Sequence, residues 1–170
     1  MNLKDRLKKH EGLRLKTYKD SLGIPTIYYG HRVRQGEVYL GTVEDAERYL
    51  DLDIAIAQQG CMSLFPTFHE MDSCRQDVLT ELVFNMCANK IRQQFPRFCN
   101  AVNRRTWEEA ANELKFADGK SKLSRWYGQV KETRAEDILD RLVYADAENG
   151  LLYGAGEQSY GEAIQCSKTD

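Results

Sequence analysis

Helical periodicity runs through most of this chain, and one short stretch near the start breaks it. "LRLKTY" (residues 13–18) alternates apolar and polar side chains, as a half-buried strand does. "KDSLGIP" follows with Asp20, Ser21, Gly23 and Pro25, a turn composition, and "TIYYGH" returns rich in β-branched and aromatic residues. One hairpin over residues 13–31 is therefore all the sheet that the pattern supports. The remaining periodic segments repeat near 3.6 residues. A first helix runs from near Asn2 to a stop at Gly12, and a second, of about five turns, from Thr42 to Gly60, with Thr42 and Asp45 resembling a capping box. "RQDVLTELVFNM" places Val78, Leu79, Leu82, Val83 and Met86 on one face. "TWEEAANELKF" starts a helix near Thr106, and "TRAEDILDRLVYA" aligns Ala135, Ile138, Leu139, Leu142 and Val143.

The pattern predicts an α+β fold, mostly helical. A small hairpin lobe (about 13–41) is joined by a long helix (about 42–60) to a helical lobe (about 61–145, together with helix 2–11). Residues 146–170 are acidic and glycine-containing, and a loosely attached tail is expected there. No run approaches the ~18 apolar residues of a membrane helix, and no signal-peptide core opens the chain, so synthesis in a cytoplasm is expected. The net charge of −2 is uneven: residues 1–34 carry a surplus of six positive charges and the remainder eight negative. The N-terminal segment is thus suited to an anionic partner, but its cations form no compact arm or recognition helix of a nucleic-acid binder. The five cysteines include no C-x-x-C pair and no zinc spacing, and read as reduced, buried thiols. His10 and His69 each precede a Glu, but neither begins an H-E-x-x-H zinc motif.

Glu11 is the residue out of place. It follows Leu3 and Leu7 at i+4 and i+8, on a stripe where a carboxylate belongs only if paired or used. The carbonyl end of a helix and an apolar face both disfavour its charge, which suits a general acid; a Glu tied down by a buried arginine is the alternative. Asp20, in the hairpin turn, reads either as an Asx-turn aspartate or as a solvated carboxylate facing that acid. Thr26 reads either as a plain strand residue or as a nearby hydroxyl. A shielded acid opposite an exposed carboxylate is the division of labour that glycoside hydrolysis needs.

Glu11, an eight-residue spacer, Asp20, a five-residue spacer and Thr26, within "HEGLRLKTYKDSLGIPT" and followed by "GH", resemble without gaps the N-terminal signature of T-even phage-type lysozymes, the endolysins of glycoside hydrolase family 24. "LVFNM", "WEEAANEL", "SRWY" and "TRAEDIL" resemble later helices of that family in the same order, so the likeness covers about residues 1–145. The resemblance implies a lysozyme-like fold and a muramidase that cuts the β-1,4 bond between N-acetylmuramic acid and N-acetylglucosamine in peptidoglycan. Glu11 would be the general acid, and Asp20 with Thr26 would position the attacking water, giving inversion. Phe84 would line the cleft, and Arg134 would face the acid. His31, with Asp53 as a plausible partner, would be structural. No metal or organic cofactor is implied. The resemblance further implies a monomer, made in the cytoplasm of an infected bacterium and acting on the periplasmic wall. Without a membrane anchor it would need a holin-type partner for its release.

Two departures stand out. The family usually carries glycine where this chain has Tyr28, and strand alternation would point that ring with Thr26 into the cleft, either to stack on sugar or to obstruct a subsite. If it obstructs, Tyr28→Gly would raise activity. Cys87 likewise replaces a common glycine, and a changed helix end is expected there. Two rivals remain: a non-cleaving, glycan-binding virion protein, and a lytic transglycosylase, which needs the acid but no water-activating aspartate.

Overall fold

Asn2 caps the first helix, α1 (Leu3–Glu11), by accepting the Asp5 N–H, and Gly12 ends it with φ +69° while its N–H reaches the Lys8 carbonyl. In this computed structural model, which describes residues 1–20 and 22–145, the chain then enters a three-stranded antiparallel sheet of order β1 (Arg14–Lys19), β2 (Pro25–Tyr28), β3 (His31–Arg32). The short third strand lengthens the expected hairpin. Tyr18 pairs with Thr26 and Arg14 with Tyr28, with a bulge between them. Alternation in "LRLKTY" does not give a half-buried strand: Leu13 and Leu15 are exposed, and within β1 only Tyr18 is partly covered.

The long helix α2 (Val43–Leu64) is capped by Thr42, which accepts the Asp45 N–H, and has 22 residues, or about 33 Å. It runs through Gly60 instead of stopping there. A Cβ at that position would come within 2.8 Å of Val83 Cγ1 and 3.2 Å of Ala88 Cβ, so the glycine serves helix packing. After a 3₁₀ turn (Phe68–Glu70) come α3 (Ser73–Met86), α4 (Ala88–Gln94), α5 (Pro96–Asn103), α6 (Trp107–Lys115), α7 (Arg125–Gln129) and α8 (Glu132–Tyr144). The short helices α4 and α5 carry no period that the sequence pattern marks, whereas α7 falls on "SRWY", a helix expected from the family resemblance alone. Cys87, with φ +60°, breaks α3 from α4 in a left-handed conformation that favours glycine.

The buried apolar side chains form two clusters. A large one joins the C-terminal half of α2 to α3–α8; a smaller one gathers Leu3, Leu7, Ile27, Tyr28, Tyr29, Ala46, Tyr49 and Leu50 under the sheet. Thus α2 contributes to both, and Phe84 of α3 packs against both. Cys61 is fully buried, Cys74 and Cys99 partly, and Cys87 is exposed. Burial pushes the Cys61 thiol up to about 12 and that of Cys99 up to about 11. No helix among the described residues is long and apolar enough to cross a membrane. The expected tail, 146–170, and with it Cys166, lies outside the described residues.

Candidate active site

Glu11 is the last residue of α1, and its side chain keeps 23% of its exposure. One oxygen, Oε1, accepts from Arg134 Nη1 of α8 at 3.2 Å. The other, Oε2, lies 3.6 Å from where a Cβ on Gly30 would sit, and Gly30 holds φ +84° in the turn between β2 and β3. The helix end and the sheet are therefore neighbours at this carboxylate. The arginine that was an alternative to catalysis for Glu11 is present, but Arg134 is shared: its Nε lies 3.2 Å from Glu81 Oε1.

Asp20 occupies the hairpin turn. Its Oδ1 accepts the backbone N–H groups of Leu22 and Ile24, both at 2.8 Å, and its own N–H donates to the Ile24 carbonyl at 3.0 Å. The Asx-turn role and a fixed carboxylate orientation coexist in one geometry. Thr26 is buried in β2, and its hydroxyl donates to the Ile24 carbonyl at 2.9 Å, so the oxygen's lone pairs are what it can offer to another donor.

Tyr28 departs from the expectation. The backbone has φ +59° there, outside the extended region, so strand alternation does not set the direction of the ring. The side chain is 1% exposed, stacked on Tyr49 with centroids 5.6 Å apart and edge-on to Tyr39. Its hydroxyl donates to Asp45 and accepts the Gly41 N–H at 2.9 Å. Burial first, and then that bond, push the Tyr28 phenol upward, while the same bond and the Leu40 N–H hold Asp45 down at about 2. Tyr28 thus belongs to the buried core of the sheet lobe. The positive φ also gives a physical reason for the glycine usual at this position.

His31, buried, places Nδ1 2.8 Å from Asp53 on α2 and Nε2 3.0 Å from Glu37. Burial lowers its affinity for a proton, but the two carboxylates outweigh it and the net direction is upward. The pair ties β3 to α2. Phe84 is half-buried where the two clusters meet.

Sequence reasoning missed Glu81. It lies off the apolar stripe of α3, yet its side chain is 0% exposed because α1 and α8 close over that side. Arg141 Nη2 reaches it at 2.9 Å, Arg134 Nε at 3.2 Å, Arg6 Nε at 3.7 Å and His10 Nε2 at 3.8 Å. Arg6 also donates to Asp77, and Arg141 to Asp137. Burial, with the charge of Arg134 behind it, lowers the His10 imidazole below its ordinary value.

A small antiparallel sheet and eight α-helices among the described residues, with an acid at the helix end beside that sheet, define a lysozyme-like α+β protein. The chain belongs to the phage lysozyme family, whose model matches residues 8–136. It is 29% identical over 140 residues to probable T4-type lysozyme 2 of Dictyostelium discoideum, covering 67% of this chain and 82% of that one. It is 37% identical over 86 residues to the endolysin of Salmonella phage P22 (48% of this chain, 58% of that one). Over 156 residues it is 27% identical to the pre-baseplate central spike protein Gp5 of Enterobacteria phage T4, covering 77% of this chain and 26% of the spike protein. This kinship supports a lysozyme-like, glycan-degrading function.

Proposed function

We propose that the chain is a muramidase of the endolysin kind, hydrolysing the β-1,4 bond between N-acetylmuramic acid and N-acetylglucosamine in bacterial peptidoglycan. The observation that carries the reading is Glu11 at the end of α1, one oxygen on Arg134 and the other beside Gly30 of the sheet whose first turn holds Asp20. Glu11 protonates the glycosidic oxygen as the bond to the anomeric carbon breaks. Asp20, oriented through Oδ1 by two backbone N–H groups, takes a proton through Oδ2 from a water on the opposite face. Thr26 accepts a hydrogen bond from that water, since its own hydrogen is directed at Ile24. The water's oxygen bonds to the anomeric carbon from the face opposite the leaving group, which inverts its configuration. Phe84 contributes an apolar wall to the sugar path. The protein works as a monomer on the wall, after a holin-type partner opens the membrane. The likeness to a baseplate spike protein favours a second use of the same chemistry, on the wall at the start of infection.

Incubation with purified peptidoglycan and mass spectrometry of the new ends tests this reading. Reducing muramic ends are expected, with the rate lowered roughly a hundredfold or more in Glu11→Gln. Anhydro ends would indicate a transglycosylase instead, and intact glycan a binding protein.

A further inference from the structure

We propose that Glu81 is a positioning residue for Glu11: by sharing Arg134, it keeps that guanidinium from closing on Glu11 as a two-pronged ion pair and so lets Glu11 carry the proton it must deliver. The inference rests on the muramidase reading for its catalytic meaning, and on geometry for the sharing itself. Arg134 divides its donors, with Nη1 on Glu11 and Nε on Glu81, both at 3.2 Å, while Nη2 is buried without a protein partner among the described residues. A lone Arg facing a lone carboxylate prefers the bidentate fork, which favours the ionised carboxylate over the acid. By anchoring the Nε edge, Glu81 holds the guanidinium in the orientation that offers Glu11 the single donor Nη1 and leaves Nη2 unused.

The charges around Glu81 show why it can do so. From α1, Arg6 and His10 face it; from α8, Arg134 and Arg141; Asp77 on α3 and Asp137 on α8 take the outer edges of Arg6 and Arg141. His10 is lowered by burial and adds little positive charge at neutral pH. Glu81 is thus the carboxylate common to three arginines. It leans on Arg141 at 2.9 Å and reaches Arg6 at 3.7 Å, a Coulombic contact longer than a hydrogen bond. The hub also has a mechanical side. Glu11 rides on α1, whose leucines pack in the sheet-lobe cluster, whereas Arg134 and Glu81 ride on α8 and α3 of the helical cluster. The acid and its regulator therefore come from opposite sides of the molecule, and Glu81 sets how strongly the two sides hold each other at the reacting carboxyl.

The test compares wild type, Glu81→Gln, Glu81→Asp, and Glu81→Gln combined with Arg134→Gln. With Glu81→Gln the alkaline limb of the kcat–pH profile should move about one pH unit towards acid, giving about a tenfold loss at pH above the limb and near wild-type turnover below it. Adding Arg134→Gln should move the limb back, and Glu81→Asp should leave it in place. A rate loss that is uniform across pH marks a merely structural residue and overturns the proposal. A second readout needs no turnover: Glu11→Gln should lower the unfolding midpoint by roughly 3 °C more in the Glu81→Gln background than in wild type, because the Glu11–Arg134 pair is tighter there. Equal costs in both backgrounds overturn the proposal. If wild type cuts no peptidoglycan, the muramidase reading falls and this coupling alone decides the sharing. Should Glu81→Gln fail to fold, Glu81→Gln with Arg141→Gln removes one buried charge of each sign and carries both readouts.

Discussion

Among the described residues, eight buried apolar side chains gather under the small sheet, and twenty-six form the helical cluster. The two clusters are held in different ways. In the helical cluster the largest side chains that are fully buried are hydrocarbon, Phe65 and Phe98, edge to face with centroids 6.2 Å apart. In the sheet cluster three tyrosines and a histidine are stacked together, and each polar tip is tied to a named partner: Tyr28 to Asp45 and Gly41, Tyr39 to Glu37, Tyr49 to the Val38 carbonyl, His31 to Asp53 and Glu37. A sheet of three short strands has little apolar area to bury, so hydrogen bonds fix the loop after β3 where hydrocarbon is too scarce. The helical side relies more on buried volume, and the sheet side more on hydrogen bonds between buried polar tips.

Phe98→Ala should separate the two most strongly. It empties a fully buried site and should cost about 3–5 kcal/mol in chemical unfolding, with the same cost across neutral and mildly acidic pH. If that cost varied with pH as strongly as the sheet lobe's stability, the contrast would fail. Tyr28→Gly should come next. Relief of the left-handed backbone returns about 1 kcal/mol, but the emptied ring site and the orphaned Asp45 cost more, leaving a net loss of about 2–4 kcal/mol. Peptidoglycan cleavage should fall with it. A faster Tyr28→Gly enzyme would restore the obstructing ring that the sequence suggested.

Titration of His31 and Asp45 should act on the sheet side. His31 is raised by its carboxylates, so its contribution is complete below its ordinary value near 6.5 and is lost as pH rises through the higher folded value. Asp45 is lowered, so its contribution is complete above the ordinary carboxylate range and is lost as pH falls towards about 2. Tyrosine near-UV dichroism should follow both losses, while the fluorescence of Trp107 and Trp126, which pack in the helical cluster, should lag behind. Coincident transitions would show that the two sides titrate as one. The smallest effect belongs to Cys87→Gly: the exposed thiol sits at φ +60°, and glycine should raise stability by about 0.5–1 kcal/mol in the same unfolding assay. Two substitutions at the same backbone angle should then move stability in opposite directions, the sign being decided by burial.

Much of this was legible beforehand. Val78, Leu79, Leu82, Val83 and Met86 are buried on α3, and Ala135, Ile138, Leu139, Leu142 and Val143 on α8, because a 3.6-residue stripe must face something apolar. The spacing of Glu11, Asp20 and Thr26 placed a helix-end acid and a turn carboxylate on one short segment. What was not legible follows from neighbours distant in sequence. Gly60 looked like a helix stop because its reason, the approach of Val83 and Ala88, lies more than twenty residues away. The burial of the Tyr28 ring was not legible because alternation assumes an extended backbone, and the residue is left-handed. Leu15 was assigned to a buried face because a strand's pattern says nothing about whether anything covers it.

The sequence by itself determined the helical periods, the turn at Asp20 and the carboxylate at the end of α1, since each depends only on residues within a turn or two of itself. Tertiary structure decided what that carboxylate touches. Arg134 lies 123 residues from Glu11 and 53 from Glu81, and only the closing of α1 and α8 over α3 brings the three together. Charge acts through space over a few ångströms, so the character of Glu11 is set by residues that no local period could have paired with it.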